Sequence, residues 1–359
     1  MKVLYLLFDY PQLTETYIET EIRALSDRHR IEIVALRKPN VAYASDWPLR
    51  YCDDVERIVE YARDGDFDLI HTHWAFMAEV VAEVSRRTGL PWTLRGHAFD
   101  MLWSGDLRTR LTSYIRTGSR VRHVLDAVLA SAATGPAHLR RAAPLINDDA
   151  CLGVLALPFG RHWLERAGVD PRKIHDCRPV MDYAMFHDRG DNGEAVMNVG
   201  ACIPKKNMED FLQLARMAPG PDYHLYAVGY QRDALAARNA RLGQPVSMMP
   251  PVPHRAMPAE YKKHRWLVYT SSPCIGTVGW PVAVAEAQAA GVGVCLANIR
   301  PDLADYLGGA GILFDSVAEV VDVVRGPVPD EMRERGFEQA AKSDIQRHRT
   351  VLENLWNAA

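Results

Sequence analysis

With 359 residues, 48% of them apolar and 24% charged, the chain has the composition of a globular protein and room for two α/β domains, which excludes fibrous and disordered classes. A formal net charge of −3 supplies no global attraction to nucleic acid or an anionic membrane, so any such contact must rest on a local patch. No apolar stretch approaches the roughly 20 residues that cross a bilayer, so membrane contact is expected to be peripheral. The six cysteines, Cys52, Cys151, Cys177, Cys202, Cys274 and Cys295, lack zinc-site spacing and read as buried free thiols of a reducing cytoplasm.

The N-terminal apolar run meets Asp9 and Pro11 too soon for a signal peptide, and Val3–Phe8 reads as a first strand. A helix over about 16–26, a strand Ile31–Leu36, a helix near 55–63 and a strand Leu69–His71 follow. Next come a helix near 78–88, a strand Trp92–Leu94 and helical material from about Leu107. Strands alternating with helices imply parallel pairing through right-handed crossovers, hence a doubly wound sheet ending near residue 180. The polar stretch Arg189–Glu194 reads as a linker. A second α/β unit over 190–340 then carries strands at 195–200, 224–228, 266–269 and 293–297. Residues 331–359 read as helical to the end, with 341–359 expected to pack back toward the first domain.

Several segments carry chemistry. In Gly276-Thr277-Val278-Gly279-Trp280-Pro281, glycines precede a proline suited to a first helical turn, and Gly291 supplies the stop. Unpaired N–H groups at such a helix start suit a phosphate or a sugar hydroxyl, although the same pattern also fits an ordinary helix between strands. Glu286 is the odd acidic residue among alanines and valines, and a buried carboxylate there needs partners such as ribose hydroxyls. Lys205 and Lys206 follow the strand-end Gly200 and Ala201, in a loop where lysines are ordinarily solvated.

In the first half, Thr16 with Glu19 has the pattern of a capping box, and Thr14 and Glu15 lie beyond a strand end, where ligands bind in such folds. His71-Thr72-His73-Trp74 and Arg95-Gly96-His97-Ala98-Phe99-Asp100 also follow strand ends. The His71/His73 pair has no third ligand placed near it by sequence, so no metal is expected. Leu107–Arg141 carries Arg108, Arg110, Arg116, Arg120, Arg122, Arg140 and Arg141 against Asp126. It suits an anionic acceptor, a lipid phosphate at a membrane surface or a nucleic-acid backbone, and equally a solvated helix face. No G-x-G-x-x-G follows the first strand, which argues against a dehydrogenase.

Residues 276–291 resemble the retaining glycosyltransferases of family 4, whose donor domain carries a glycine-proline loop and a helix reading roughly P-x-x-x-x-E-A-x-A-x-G. Pro11–Ile22 is similar to the family's P-x-x-S-E-T-F-I-x-x-E-I segment, and Val199–Asn207 is similar to its diphosphate-gripping turn. The resemblance implies the GT-B fold, two Rossmann-like doubly wound parallel-sheet domains facing a cleft, with the acceptor on the N-terminal side. It implies that Glu286 holds the nucleotide ribose, that Lys206 grips the diphosphate and that His97 touches the donor sugar, making these three the catalytic candidates. Gly200, Gly276, Thr277, Val278, Gly279 and Trp280 complete the donor side, and Thr14, Glu15, His73 and His97 the acceptor side. Two positions depart from the family: Val278 stands where it has a second glutamate, and Ala201 where it has an arginine. Arg300, in Asn298-Ile299-Arg300-Pro301-Asp302, is expected to supply the missing positive charge. The implied reaction is sugar transfer from a nucleoside-diphosphate sugar with retention, without metal or other cofactor and without a dedicated nucleophile. The implied setting is polysaccharide or glycoconjugate synthesis in the cytoplasm or at a membrane surface. Open alternatives are a small aglycone or a nucleic-acid base as acceptor, and a nucleotide-sugar epimerase, hydrolase or non-catalytic sensor of the same fold.

Overall fold

The computed structural model describes residues 1–39, 45–102, 136–273, 275 and 277–357. Gly276, Cys274 and most of the basic segment 107–141 lie outside the described residues. Among the described residues, 1–102, 136–180 and 345–357 form one compact unit and 181–344 form another.

The first unit holds seven strands: β1 (Lys2–Asp9), β2 (Arg30–Arg37), β3 (Leu49–Tyr51), β4 (Leu69–His73), β5 (Trp92–Arg95), β6 (Cys151–Ala156) and β7 (Ile174–Asp176). They pair in the order β3-β2-β1-β4-β5-β6-β7, all parallel. A parallel sheet covered on both faces needs near-continuous apolar strands, and Val3 to Leu7 are accordingly buried without interruption. Chain order reverses between β1 and β4, where Tyr5 pairs with His71, so the loops after these two strands diverge and leave space at their carboxyl ends.

The second unit contributes β8 (Ala195–Ala201), β9 (Tyr223–Val228), β10 (Ser247–Met248), β11 (His264–Tyr269), β12 (Gly293–Ala297) and β13 (Ile312–Phe314). Their order is β10-β9-β8-β11-β12-β13, again all parallel, with the reversal between β8 and β11. Each unit encloses its own apolar core, the first around Leu4, Ile70, Trp92 and Val154, the second around Phe211, Leu225, Trp266 and Val268.

Several sequence expectations need correction. The first helix spans Thr16–Leu25 with Glu15 as its cap and no side-chain capping bond; Glu19 instead pairs with Arg23 at 2.6 Å. Pro281 is the residue before the helix Val282–Ala289, not its first turn. Arg189–Glu194 is not a free linker: Arg333 donates to the Arg189 carbonyl at 2.9 Å, Asn192 donates to the carbonyls of His264 and Ala290, and the Gly193 N–H donates to Lys262 at 2.8 Å. Its polarity serves hydrogen bonds to distant backbone, which composition reads as solvation. The C-terminal helical stretch is broken into Asp330–Ala341 and Ile345–Trp356, because the Ser343 carbonyl accepts from the Met181 N–H at 3.0 Å between them. The last helix belongs to the first unit, where Arg349 donates to the Ala24 carbonyl at 2.7 Å and Leu352 and Trp356 are buried. Cys151, Cys177, Cys202 and Cys295 are buried free thiols, while Cys52 is partly exposed.

Candidate functional site

In the second unit the turns after β8 and β11, on either side of the sheet reversal, are stitched together. The Thr270 hydroxyl donates to the Lys206 carbonyl at 2.8 Å, Asn198 donates to the Thr270 hydroxyl at 2.9 Å, and the Ser272 N–H donates to the Lys205 carbonyl at 2.9 Å. Gly200, at φ +139, begins the turn in a conformation that a side chain resists. Gly200→Ala is therefore expected to lower stability by about 1–3 kcal/mol in chemical denaturation.

That turn delivers Lys206, whose ammonium contacts the Tyr269 hydroxyl. Burial, reinforced by the neighbouring Lys205, holds it well below the ordinary lysine value of 10.5. Among the described residues no carboxylate pairs with it. Two residues after Tyr269, the buried Ser271 hydroxyl has no hydrogen-bond partner among the described residues. A partly buried lysine with no counter-charge and a buried hydroxyl without a partner are costly to desolvate and are suited to an anion.

Glu286 lies inside the helix Val282–Ala289 and is 6% exposed. Its carboxylate has protein partners: His254 Nε2 at 3.0 Å on one oxygen and the donating Tyr261 hydroxyl at 2.8 Å on the other. Neither residue is distinguished by the sequence: both come from the short helical turns His254–Ala256 and Met257–Tyr261 between β10 and β11. Thr277 and Val278 are buried, Gly279 is partly buried, and Trp280 stacks on Tyr306 at 4.8 Å while donating to Asp302 at 2.8 Å. Arg300 forms a two-pronged pair with Asp302, at 2.7 and 2.8 Å, and donates to the Val278 carbonyl. The charge expected there in place of Ala201 is thus already matched by a carboxylate, and the guanidinium fastens residues 278–280 instead.

In the first unit, residues at the ends of β1, β4 and β5 converge differently from the sequence expectation. Thr14 is exposed and Glu15 partly so. The acidic centre is Glu21, 0% exposed, set on the apolar face of its helix with Ile18, Ile22 and Leu25. That misplaced polarity was a readable signal, but nothing local names its partners. Arg95 donates to one carboxylate oxygen at 2.6 Å. Around the other oxygen lie the donating Tyr5 hydroxyl at 3.1 Å, His73 Nε2 at 3.0 Å and, poorly aligned, His71 Nε2 at 3.1 Å. Burial works to raise the Glu21 carboxyl, but Arg95 and the histidines outweigh it and hold it well below the usual range.

His73 Nδ1 in turn lies 3.0 Å from His97 Nε2. Burial lowers His73 to about 4 and, with His73 and Arg95 nearby, lowers His97 as well, so both rings are neutral at pH 7. Tyr17 and Trp74 flank His97 with ring centroids at 4.6 and 4.3 Å. Trp74 adopts φ 78, a strained value for a bulky residue that is found disproportionately at functional sites. Asp100 joins the two loops, accepting from the N–H groups of His97 at 2.9 Å and Ala75 at 2.5 Å. Although ligating atoms of Glu21, His71 and His73 lie within 4.8 Å of one another, Arg95 already brings a positive charge to that carboxylate and would repel a cation.

No protein-family model matches the chain, and no curated protein matches its sequence. Solved structures do. The chain is similar to HepE from Anabaena, in a structure with UDP and glucose, with a TM-score of 0.72, 15% identity and 100% of both chains covered. It is also similar to sucrose-phosphate synthase from Thermosynechococcus elongatus, with a TM-score of 0.70, 13% identity and 100% of both chains covered. The lipopolysaccharide outer core galactosyltransferase WaaB gives a TM-score of 0.63 and 12% identity over 100% of this chain and 99% of that one. With two all-parallel Rossmann-like sheets and this likeness along its length, the chain has the GT-B fold of these glycosyltransferases.

Proposed function

We propose that the chain is a glycosyltransferase that moves a hexosyl group from a nucleoside-diphosphate sugar to an acceptor hydroxyl with retention. The observation that carries this reading is Lys206, a partly buried lysine held well below its ordinary value and without a carboxylate partner among the described residues, at the reversal of the second sheet. A diphosphate leaving group would supply the missing negative charge, and an ammonium held there acts where charge develops during transfer. Glu286 holds the nucleotide ribose, its His254 and Tyr261 contacts keeping the carboxylate oriented. Thr277, Val278, Gly279 and Trp280 line the donor, and His97 and His73 serve the acceptor side. HepE has been solved with UDP and with UDP-glucose, which supports a UDP-sugar as the first donor to test.

Val278 is buried where the family carries a donor-sugar glutamate, which favours one second reading, a nucleotide-sugar hydrolase or epimerase of the same fold. Purified protein incubated with UDP-sugars, with and without glycan, lipid-linked, small-aglycone and nucleic-acid acceptors, separates the two. Nucleotide release only with an acceptor supports transfer; release without one supports hydrolysis; binding without turnover across the panel points to a sensor. Cation stabilisation by Lys206 also predicts full activity in excess EDTA, and a strict divalent-ion requirement would overturn it. Arg300→Ala frees the Val278 carbonyl and is expected to weaken UDP binding several-fold in calorimetry; unchanged affinity removes Arg300 from the site. The setting is cytoplasmic or membrane-peripheral, and no helix among the described residues is long and apolar enough to cross a membrane.

A further inference from the structure

We infer that Glu21, acting through His73, fixes His97 as the neutral tautomer that carries its proton on Nε2. The assignment comes from counting donors and acceptors. Arg95 binds the Glu21 carboxylate at 2.6 Å and keeps it ionised, and an ionised carboxylate only accepts. His73 Nε2, 3.0 Å from that carboxylate, must therefore carry hydrogen. A neutral imidazole has one N–H, so His73 Nδ1 bears a lone pair, and the hydrogen bond of 3.0 Å to His97 must be donated by His97 Nε2. Nδ1 of His97 is then its unprotonated nitrogen, and a ligand group that meets it must bring the hydrogen.

A second branch reaches the same carboxylate and agrees with this polarity. The Trp356 indole N–H can only donate, and it lies 3.0 Å from the Thr93 hydroxyl. Thr93 can therefore give its own hydrogen to His71 Nδ1, 2.7 Å away, which leaves the His71 proton on Nε2, facing Glu21 at 3.1 Å. The Tyr5 hydroxyl donates to Glu21 as well. Arg95, His73 and Tyr5 thus direct hydrogens at the carboxylate, and His71 lies beside it with a protonated nitrogen that is poorly aligned for a bond. Glu21 and His73 are positioning residues for His97; the part of His97 in transfer rests on the preceding reading, whereas its tautomer does not.

The test uses the full chain labelled with 15N in its histidine rings, with multiple-bond 1H–15N spectra recorded at pH 7.5 and the His97 signals assigned by comparison with His97→Gln. The expected result is a pyrrole-type Nε2 and a pyridine-type Nδ1. A His97 protonated on Nδ1, or on both nitrogens, would overturn the inference without any variant having to fold. In Glu21→Gln the amide oxygen stays on Arg95 and the NH2 turns toward His73, whose Nε2 must then accept. Protons shift along the chain and His97 becomes the Nδ1–H tautomer; an unchanged His97 would show that Glu21 does not set it. If transfer is active, the same variant should lower kcat with little change in donor KM. A flipped tautomer with unaltered kcat would leave the inference standing and remove His97 from the transfer machinery.

Discussion

Replacing Lys206 by methionine is expected to lower the transfer rate by about 100- to 1,000-fold, the usual loss when a group stabilising developing charge is removed, without destabilising the empty protein. The two effects share one cause. In the folded chain the ammonium is partly buried, has no carboxylate partner among the described residues and is held well below the ordinary value of 10.5 by desolvation. Between the folded value and 10.5 the unfolded chain binds a proton that the folded chain does not, so stability contributed by this group rises with pH across that window. A methionine of similar volume removes that penalty. Denaturation of the two proteins at pH 7.5 should therefore show the variant at least as stable, and thermal stabilisation by UDP should be confined to the wild type. Where wild-type Lys206 is partly deprotonated, UDP binding should take up protons, read by calorimetry in buffers of different ionisation enthalpy. A variant that is less stable yet binds UDP normally would assign Lys206 to packing.

Glu21→Ala should have the largest effect on stability, about 3–5 kcal/mol, because it leaves a buried guanidinium without its counter-charge. Arg95 is 3% exposed and its bond to Glu21 is 2.6 Å long. Replacing both residues, as Glu21→Ala with Arg95→Met, should recover much of the loss, and urea denaturation of the two single variants and the double variant measures the coupling. Additive losses would mean that the pair is not a unit.

The same network sets an acid limit. His73 titrates near 4 in the folded chain against an ordinary 6.5, so between those values only the unfolded chain binds the proton. Stability consequently falls as pH drops through that window, and His71 and His97, also lowered, act in the same direction. The lowered Glu21 carboxyl adds a loss below the ordinary 4.5, as pH falls toward its folded value. Melting temperatures measured from pH 7.5 down to 4.5 should decline below about 6.5; a flat profile would contradict burial of these rings as neutral groups.

Much of the architecture is legible in the residues because its determinants are local. The helix Ala78–Thr88 and the strand Gly293–Ala297 fall where periodicity and glycine punctuation place them, since a continuous apolar run or an i, i+4 pattern needs no knowledge of distant partners. Short edge strands such as β3 and β10 escaped because two or three residues form no pattern, and their identity as strands exists only through pairing with β2 and β9. Glu286 stood out as an acidic residue among alanines and valines, and Lys206 through the resemblance to the family's diphosphate-gripping turn. What surrounds them, Tyr269 for the first and His254 with Tyr261 for the second, did not.

By itself, then, the sequence determined two parallel-sheet units and the identity of the charges placed at the ends of their strands. The tertiary structure decided which of those charges are matched. It gave Arg300 to Asp302, left Lys206 without a carboxylate among the described residues, and made Glu21 the centre of a network joining residues 52, 74 and, through His71 and Thr93, more than 300 positions away in sequence. The physical reason is that burial and hydrogen-bond direction depend on neighbours brought together by the sheet, whereas periodicity depends on neighbours along the chain.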